Sequence, residues 1–230
     1  ESHRDEAERL NADAAGFVAR AAAKADALIV YISTDFVFDG AKNAPYVEDD
    51  LPRPASVYGQ TKLKGERTVM SATDRHLIVR TAWLYGAGGR NFVDTICDLA
   101  RSRGEVRVVS DQVGCPTWNH DLAGAIIALL RAQAVGTYHA CGRGEATWYD
   151  LAVAATGVRK INATVRPVST REFNRLSTGA SGQEARTVPA PRPASSVMSC
   201  EKLRHDAAFA FPPWRHSLEA YIAEDTEGEK

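Results

Sequence analysis

Cysteines are few and scattered in this 230-residue chain: Cys97, Cys115, Cys141 and Cys200, with no C-x-x-C spacing. That arrangement speaks against a structural zinc site and against a disulfide framework, so reduced thiols and no metal are expected. Long apolar runs are also missing. The longest, Ala27 to Ile32 and Ala123 to Leu130, fall far short of the roughly 20 residues that span a bilayer. Neither sign of charge is in excess, with 28 Lys and Arg against 29 Asp and Glu. Nucleic acid and membrane surfaces are therefore not expected partners. No charged-then-apolar leader precedes a cleavage site, which points to a cytoplasmic protein. The chain opens at Glu1 and not at a methionine, an opening expected to lack something upstream. Finally, no glycine turn sits between a strand and a helix in the way that a dinucleotide pyrophosphate requires.

What is present reads as a soluble globular protein with enough length for one large domain or two small ones. Residues 4 to 24 are rich in Ala, Glu and Arg, with Leu10, Ala14, Phe17, Val18 and Ala21 on one stripe, the pattern of an amphipathic helix. Residues 27 to 33 are short, β-branched and apolar, as in a parallel strand buried on both faces. A loop with Gly40, Pro45, Pro52 and Pro54 leads to a helix over about 56–70, and a second buried strand covers His76 to Thr81. Helices over about 91–102, 120–131 and 148–155 alternate with strands at 106–109 and 137–140. The alternation predicts α/β architecture with a parallel sheet. A Ser-, Gly-, Pro- and Arg-rich stretch from Arg171 to Ser196 predicts a long loop, followed by short helices near Glu201 and Ser217.

In open parallel sheets ligands gather beyond the carboxyl ends of the strands. Two such ends are Ser33-Thr34-Asp35 and Thr81-Ala82-Trp83. On the helix between them Tyr58 and Lys62 stand four apart, which places both on one helical face. A phenol can give a proton to a ketone oxygen as hydride reaches the carbon, but its free pKa near 10 is high for that exchange. An adjacent ammonium is expected to favour the phenolate, and Thr34 offers a hydroxyl to the same oxygen. Tyr-x-x-x-Lys by itself is weak, with about 0.2 chance matches expected in this composition. Taken singly, Thr34 is a strand-end cap and Trp83 a core aromatic. Their joint order on these elements points to carbonyl reduction.

Ser33 to Gly40, Val57 to Glu66, Arg80 to Tyr85, Asn91-Phe92, Asp111 to Thr117, Arg192 to Ser196 and Pro213-Trp214 together resemble the dTDP-4-dehydrorhamnose reductase family of extended short-chain dehydrogenases. The resemblance covers nearly the whole chain. It implies reduction of dTDP-4-dehydro-L-rhamnose to dTDP-L-rhamnose with NADPH or NADH. Thr34, Tyr58 and Lys62 are then the catalytic trio, and Tyr58 and Lys62 also touch the cofactor. Thr34, Asp35, Trp83, Asn91 and Arg192 are substrate contacts. The implied fold is the C-terminal part of a Rossmann-type parallel sheet plus a small mixed α/β substrate-binding domain. Residues 1–90 and 118–140 would form the first part, 91–117 and 141–224 the second, and 225–230 a disordered tail.

Three departures from the family pattern are visible. Phe36 stands where the family commonly has Tyr. Trp118-Asn-His120-Asp121 follows Pro116-Thr117 where some members carry acidic metal ligands, and His120 reads as a surface helix-start residue. The family's glycine loop and about three βα units precede the point where this chain starts, and Gly86-Ala-Gly-Gly89 is no substitute. The strand at 27–33 is therefore expected to need cover along one edge, from upstream residues or from a second copy in a homodimer. Other readings are a non-catalytic regulatory subunit of the methionine adenosyltransferase beta type, and a sugar-nucleotide epimerase or dehydratase relative.

Overall fold

A computed structural model describes residues 3–178 and 191–228. Helices α1 (Arg4–Glu8) and α2 (Ala14–Lys24), joined by a π-helical turn at Arg9–Asp13, lead into β1 (Ile29–Thr34) and a 3-10 turn at Asp35–Val37. Then follow α3 (Val57–Ala72), β2 (His76–Thr81), β3 (Leu84–Tyr85), α4 (Phe92–Arg103), β4 (Glu105–Val109), β5 (Val113–Gly114) and β6 (Thr117–Trp118). The remaining elements are α5 (Asn119–Arg131), β7 (Gly136–His139), β8 (Ala146–Thr147), α6 (Trp148–Val158), β9 (Thr164–Val168), α7 (Thr170–Thr178), α8 (Glu201–Ala207) and α9 (Trp214–Gly228). No helix among the described residues is long and apolar enough to cross a membrane.

The chain divides into two compact units. The first comprises Glu1–Ala82, Gly124–Cys141 and Thr187–Ala210; the second comprises Trp83–Ala123, Gly142–Arg186 and Phe211–Lys230. The two units interleave along the chain, and residues around Val197 group with the first. The reason is local pairing. The Tyr46 N–H donates to the Val197 carbonyl and the Ser199 N–H to the Tyr46 carbonyl, each at 2.8 Å.

In the first unit β1, β2 and β7 form a parallel sheet in that order, with Thr34 opposite Thr81 and Val79 opposite Tyr138. Strand β1 pairs with β2 alone among the described strands. The apolar stripe expected on the N-terminal helix is not the buried one. Leu10, Phe17 and Val18 are exposed, whereas Ala12, Gly16 and Ala19 are buried. Close approach decides this. A Cβ on Gly16 would lie 2.7 Å from Thr68 Cγ2, and one on Gly65 would lie 2.2 Å from both the Asn11 carbonyl oxygen and the Tyr31 hydroxyl. Small residues let α2 and α3 pack closely, at the expense of leaving larger side chains in water.

The second unit is built on the parallel pair β4–β9, with short pairings β3–β6 and β5–β8. Val93, Cys97, Ala100, Leu151, Ala152, Ala155 and Leu218 fill its core. Two expectations change here. The long loop begins with a helix, α7, whose start is marked by the Ser169 hydroxyl accepting from the Glu172 N–H at 3.1 Å. Residues 179–190 of that predicted loop lie outside the described residues. The expected disordered tail is instead helical backbone through Gly228, continuing from Trp214, Leu218, Tyr221 and Ile222, which anchor α9 in the core. Propagating a helix already nucleated costs little. Residues 229–230 lie outside the described residues.

Candidate active site

Strand β1 ends at Thr34, which turns the chain into the 3-10 turn through its own side chain. Its Oγ1 accepts from the Phe36 N–H at 3.2 Å and donates to Asp35 Oδ1 at 3.0 Å. Thr34 and Asp35 are both buried. Tyr58 is brought to them by the start of α3. Ser56 caps that helix, accepting from the Gly59 N–H at 3.1 Å. Glycine is required at 59, because a Cβ there would sit 2.1 Å from the Phe36 carbonyl oxygen. The Tyr58 ring packs edge-on against Phe36, centroids 5.6 Å apart, and leaves 43% of the residue exposed. Phe36 thus supports the phenol that the sequence pairs with Lys62.

The electrostatics differ from expectation. Burial pushes the Tyr58 phenol above its usual range; a hydrogen bond with Thr34 pulls it down, and the Asp35 charge pushes it up. Lys62 is not what sets this balance. Its ammonium donates to the Ile32 carbonyl at 2.6 Å and lies 4.2 Å from the Tyr31 ring centroid. The acidified phenol inferred from the spacing is therefore corrected: four residues apart on a helix fixes a common face, and the long lysine side chain finds the strand carbonyl instead. Burial lowers the Lys62 pKa, opposed by the charge of Glu66.

Glu66 is a buried charge beside the candidate site that the sequence pattern did not single out. It is buried one further turn along the Tyr58–Lys62 face. It accepts from Ser33 Oγ at 2.5 Å and holds Arg80 by two bonds, Nε to Oε1 at 3.0 Å and Nη2 to Oε2 at 2.7 Å. The signal was the 58-62-66 spacing itself, since a carboxylate in that register continues the same helical face.

Arg192 and Ser196 come to Asp35 from a distant part of the chain. The segment passes over Gly40, which has φ +79° and where a Cβ would meet Pro193 Cβ at 2.5 Å. Arg192 lies near enough for its charge and that of Asp35 to act on one another. The Asp35 carboxyl is pushed up to about 6, by burial first, against hydrogen bonds from Ser196 and Thr34. His139, buried at the end of β7, is pushed down to about 3 by burial and then by the Arg80 charge.

These two shifts act oppositely on stability. Folded Asp35 binds its proton more tightly than the unfolded chain, so its contribution is present below about pH 4 and is lost as pH rises through about 6. Folded His139 binds its proton less tightly, so stability falls as pH drops below about 6.5 toward 3. Asp35→Asn is expected to stabilise the protein at pH 7 by up to about 3 kcal/mol, with the gain gone by pH 4. Urea unfolding at both pH values checks this; an equal effect at the two would contradict it.

Trp83 and Asn91 belong to the second unit. Trp83 has φ +46°, uncommon for a residue with a side chain. It is held there by stacking on Trp148, with centroids 3.6 Å apart and planes within 6°. Gly114 lies against its ring, where a Cβ would be 2.4 Å from Cε2. Asn91, expected to contact the substrate, caps α4. Its Oδ1 accepts from the Asp94 N–H at 3.0 Å, and its Nδ2 donates to Asp94 Oδ2 at 2.6 Å and the Gly86 carbonyl at 3.1 Å. His120 stacks on Trp118 at 4.6 Å and is exposed. Among the described residues no group of three or more His, Cys, Asp or Glu is arranged to hold a metal.

For a dinucleotide the residues fit at one end. A half-exposed phenol and a lysine ammonium on one helical face are donors suited to ribose hydroxyls. Gly86–Gly89 is no pyrophosphate cradle. The Cβ position of Gly86 is filled by Asn119, Gly88 and Gly89 have nothing within 4 Å, and the Asp94 N–H at the following helix start is taken by Asn91.

Over residues 1–227 the chain matches the family described as the RmlD substrate binding domain. It is 38% identical over 229 residues to the dTDP-4-dehydrorhamnose reductase of Sinorhizobium fredii, an alignment spanning 96% of this chain and 74% of that protein. The structure matches that of a dTDP-4-dehydrorhamnose reductase from Clostridium acetobutylicum with a TM-score of 0.90 at 38% identity, covering 98% and 76% of the two chains. It matches the Bacillus anthracis dTDP-4-dehydrorhamnose reductase, solved in complex with NADP, with a TM-score of 0.89 at 37% identity, covering 97% and 75%. Fold, motifs and extent of identity agree, and the chain belongs to the dTDP-4-dehydrorhamnose reductase family of oxidoreductases.

Proposed function

We propose that this chain takes part in the reduction of dTDP-4-dehydro-L-rhamnose to dTDP-L-rhamnose with NADPH or NADH, with Tyr58 as the proton donor. The observation that carries this reading is the seating of Tyr58 over the buried Thr34–Asp35 turn at the carboxyl end of β1. A bound dihydronicotinamide supplies the hydride to the ketone carbon. Tyr58 delivers its O–H proton to the ketone oxygen, and the raised pKa keeps that proton in place through neutral pH. Thr34 orients the reacting oxygen through its hydroxyl. Lys62 leaves the Ile32 carbonyl to hold ribose hydroxyls and to steady the phenolate that proton transfer creates. Asp35, Arg192 and Ser196 form the polar wall for the sugar hydroxyls.

The assay is oxidation of NADPH or NADH by the full polypeptide that carries these residues, with dTDP-4-dehydro-L-rhamnose as substrate. Turnover that disappears in Asp35→Ala is the expected result. No turnover with either coenzyme, from protein that binds both reactants, would overturn the reading.

A further inference from the structure

We propose that Cys141 and Cys200 are a disulfide-forming pair, a modification site through which a thiol oxidant acts on the segment bearing Ser196. Their Sγ atoms lie 3.5 Å apart although 59 positions separate them in the chain. Cys141 follows β7 and is buried, and its N–H donates to Cys200 Sγ at 3.4 Å. Cys200 immediately precedes α8 and is partly exposed. The asymmetry suits a two-step exchange, with an accessible thiol that meets the oxidant and a sheltered one that resolves it. A bond of about 2.05 Å requires the sulfurs to close by roughly 1.5 Å.

With glutathione disulfide as oxidant, the Cys200 thiolate attacks one of its sulfurs and one glutathione thiolate leaves. The Cys141 thiolate then attacks the Cys200 sulfur, the Cys141–Cys200 bond forms and the second glutathione leaves. The two cysteine thiols lose two protons and two electrons, and glutathione disulfide is reduced to two glutathione thiols. The consequence reaches the site through the backbone. Ser196, whose hydroxyl acts on Asp35, lies four residues before Cys200. The bond fastens to the chain just after β7 a segment that hydrogen bonds to Tyr46 already hold from another side.

The test incubates the chain in graded mixtures of glutathione and its disulfide, alkylates the remaining thiols and measures intact and peptide masses. The expected result is loss of two alkylatable thiols, a peptide pair joined through Cys141 and Cys200, and reversal by dithiothreitol. The oxidised form is expected to melt about 5–15 °C higher, and Cys200→Ser to abolish both effects. Four alkylatable thiols at every ratio, a persistent glutathione adduct on Cys200 alone, or a bond to Cys97 or Cys115 would each overturn the proposal. The masses are read on the unaltered chain, so the result stands even if Cys200→Ser fails to fold.

Discussion

Tyr58→Phe is expected to lower kcat for the keto-sugar by about 100- to 10,000-fold, the range by which a positioned general acid contributes. The melting temperature should hardly move. The phenylalanine ring keeps the edge-on contact with Phe36, and the lost hydroxyl sits on a residue that is substantially exposed. KM for the sugar nucleotide should change far less than kcat, because the proton is needed in the transition state and not for binding. The pH dependence follows from the raised phenol. The acid form persists through neutrality, so reduction driven by Tyr58 should hold steady up to the free phenol range near pH 10. Steady-state kinetics of the variant and the parent decide the matter. A variant retaining more than about a tenth of kcat would remove Tyr58 from the role of proton donor.

Glu66→Ala carries the second large effect, this time on stability. Its carboxylate and the Arg80 guanidinium are both almost wholly buried. Removing one partner of such a pair leaves an uncompensated charge out of water, a loss of about 3–5 kcal/mol. Ser33 loses its acceptor in the same step. A fall of about 6–20 °C in melting temperature is expected for a chain of this size. Replacing both partners, Glu66→Leu with Arg80→Met, should recover most of the loss, because the desolvation cost disappears with the charges. A deficit of about 1–3 kcal/mol should remain from the unpaired Ser33 hydroxyl. Urea unfolding of the three proteins tests this, and a single variant within 1 kcal/mol of the parent (roughly, against the range above) would show the pair to be unimportant.

The two expectations share one stretch of chain. Ser33 precedes Thr34 directly, and Glu66 lies one turn beyond Lys62. Through the bond it accepts from Ser33, Glu66 therefore tethers the end of β1 to α3 near the proposed proton donor. Loss of Glu66 should also lower the Lys62 pKa further, since its charge is what opposes burial there.

Much of the region around the candidate site could be read from local pattern. The apolar run ending at Thr34, the Ser56 cap and the run His76 to Thr81 predict β1, α3 and β2 because each signal lies within the element it specifies. The motifs around Thr34, Tyr58 and Arg192 also named the family that the comparisons support. Other features were not readable in this way. Strand β9 is a poor strand by composition, Thr-Val-Arg-Pro-Val, and forms by pairing with β4, about 60 residues earlier. The apolar stripe with Phe17 and Val18 was a sound amphipathic pattern, yet the buried face is the one with Gly16 and Ala19.

Residue order alone thus sufficed for the principal elements β1, α3 and β2, for the α/β alternation and for setting a phenol, a lysine and a threonine near one strand end. These depend on spacing along a helix or strand, and spacing is written in the chain. Three-dimensional packing settled where the charges go. Lys62 turned to a strand carbonyl, Glu66 paired with Arg80, Asn91 became a cap, and Ser196 reached Asp35 from 161 positions away. Such partners are chosen by burial and by the cost of leaving a polar group unpaired. That cost depends on neighbours distant in sequence, and it takes effect only once the chain has folded.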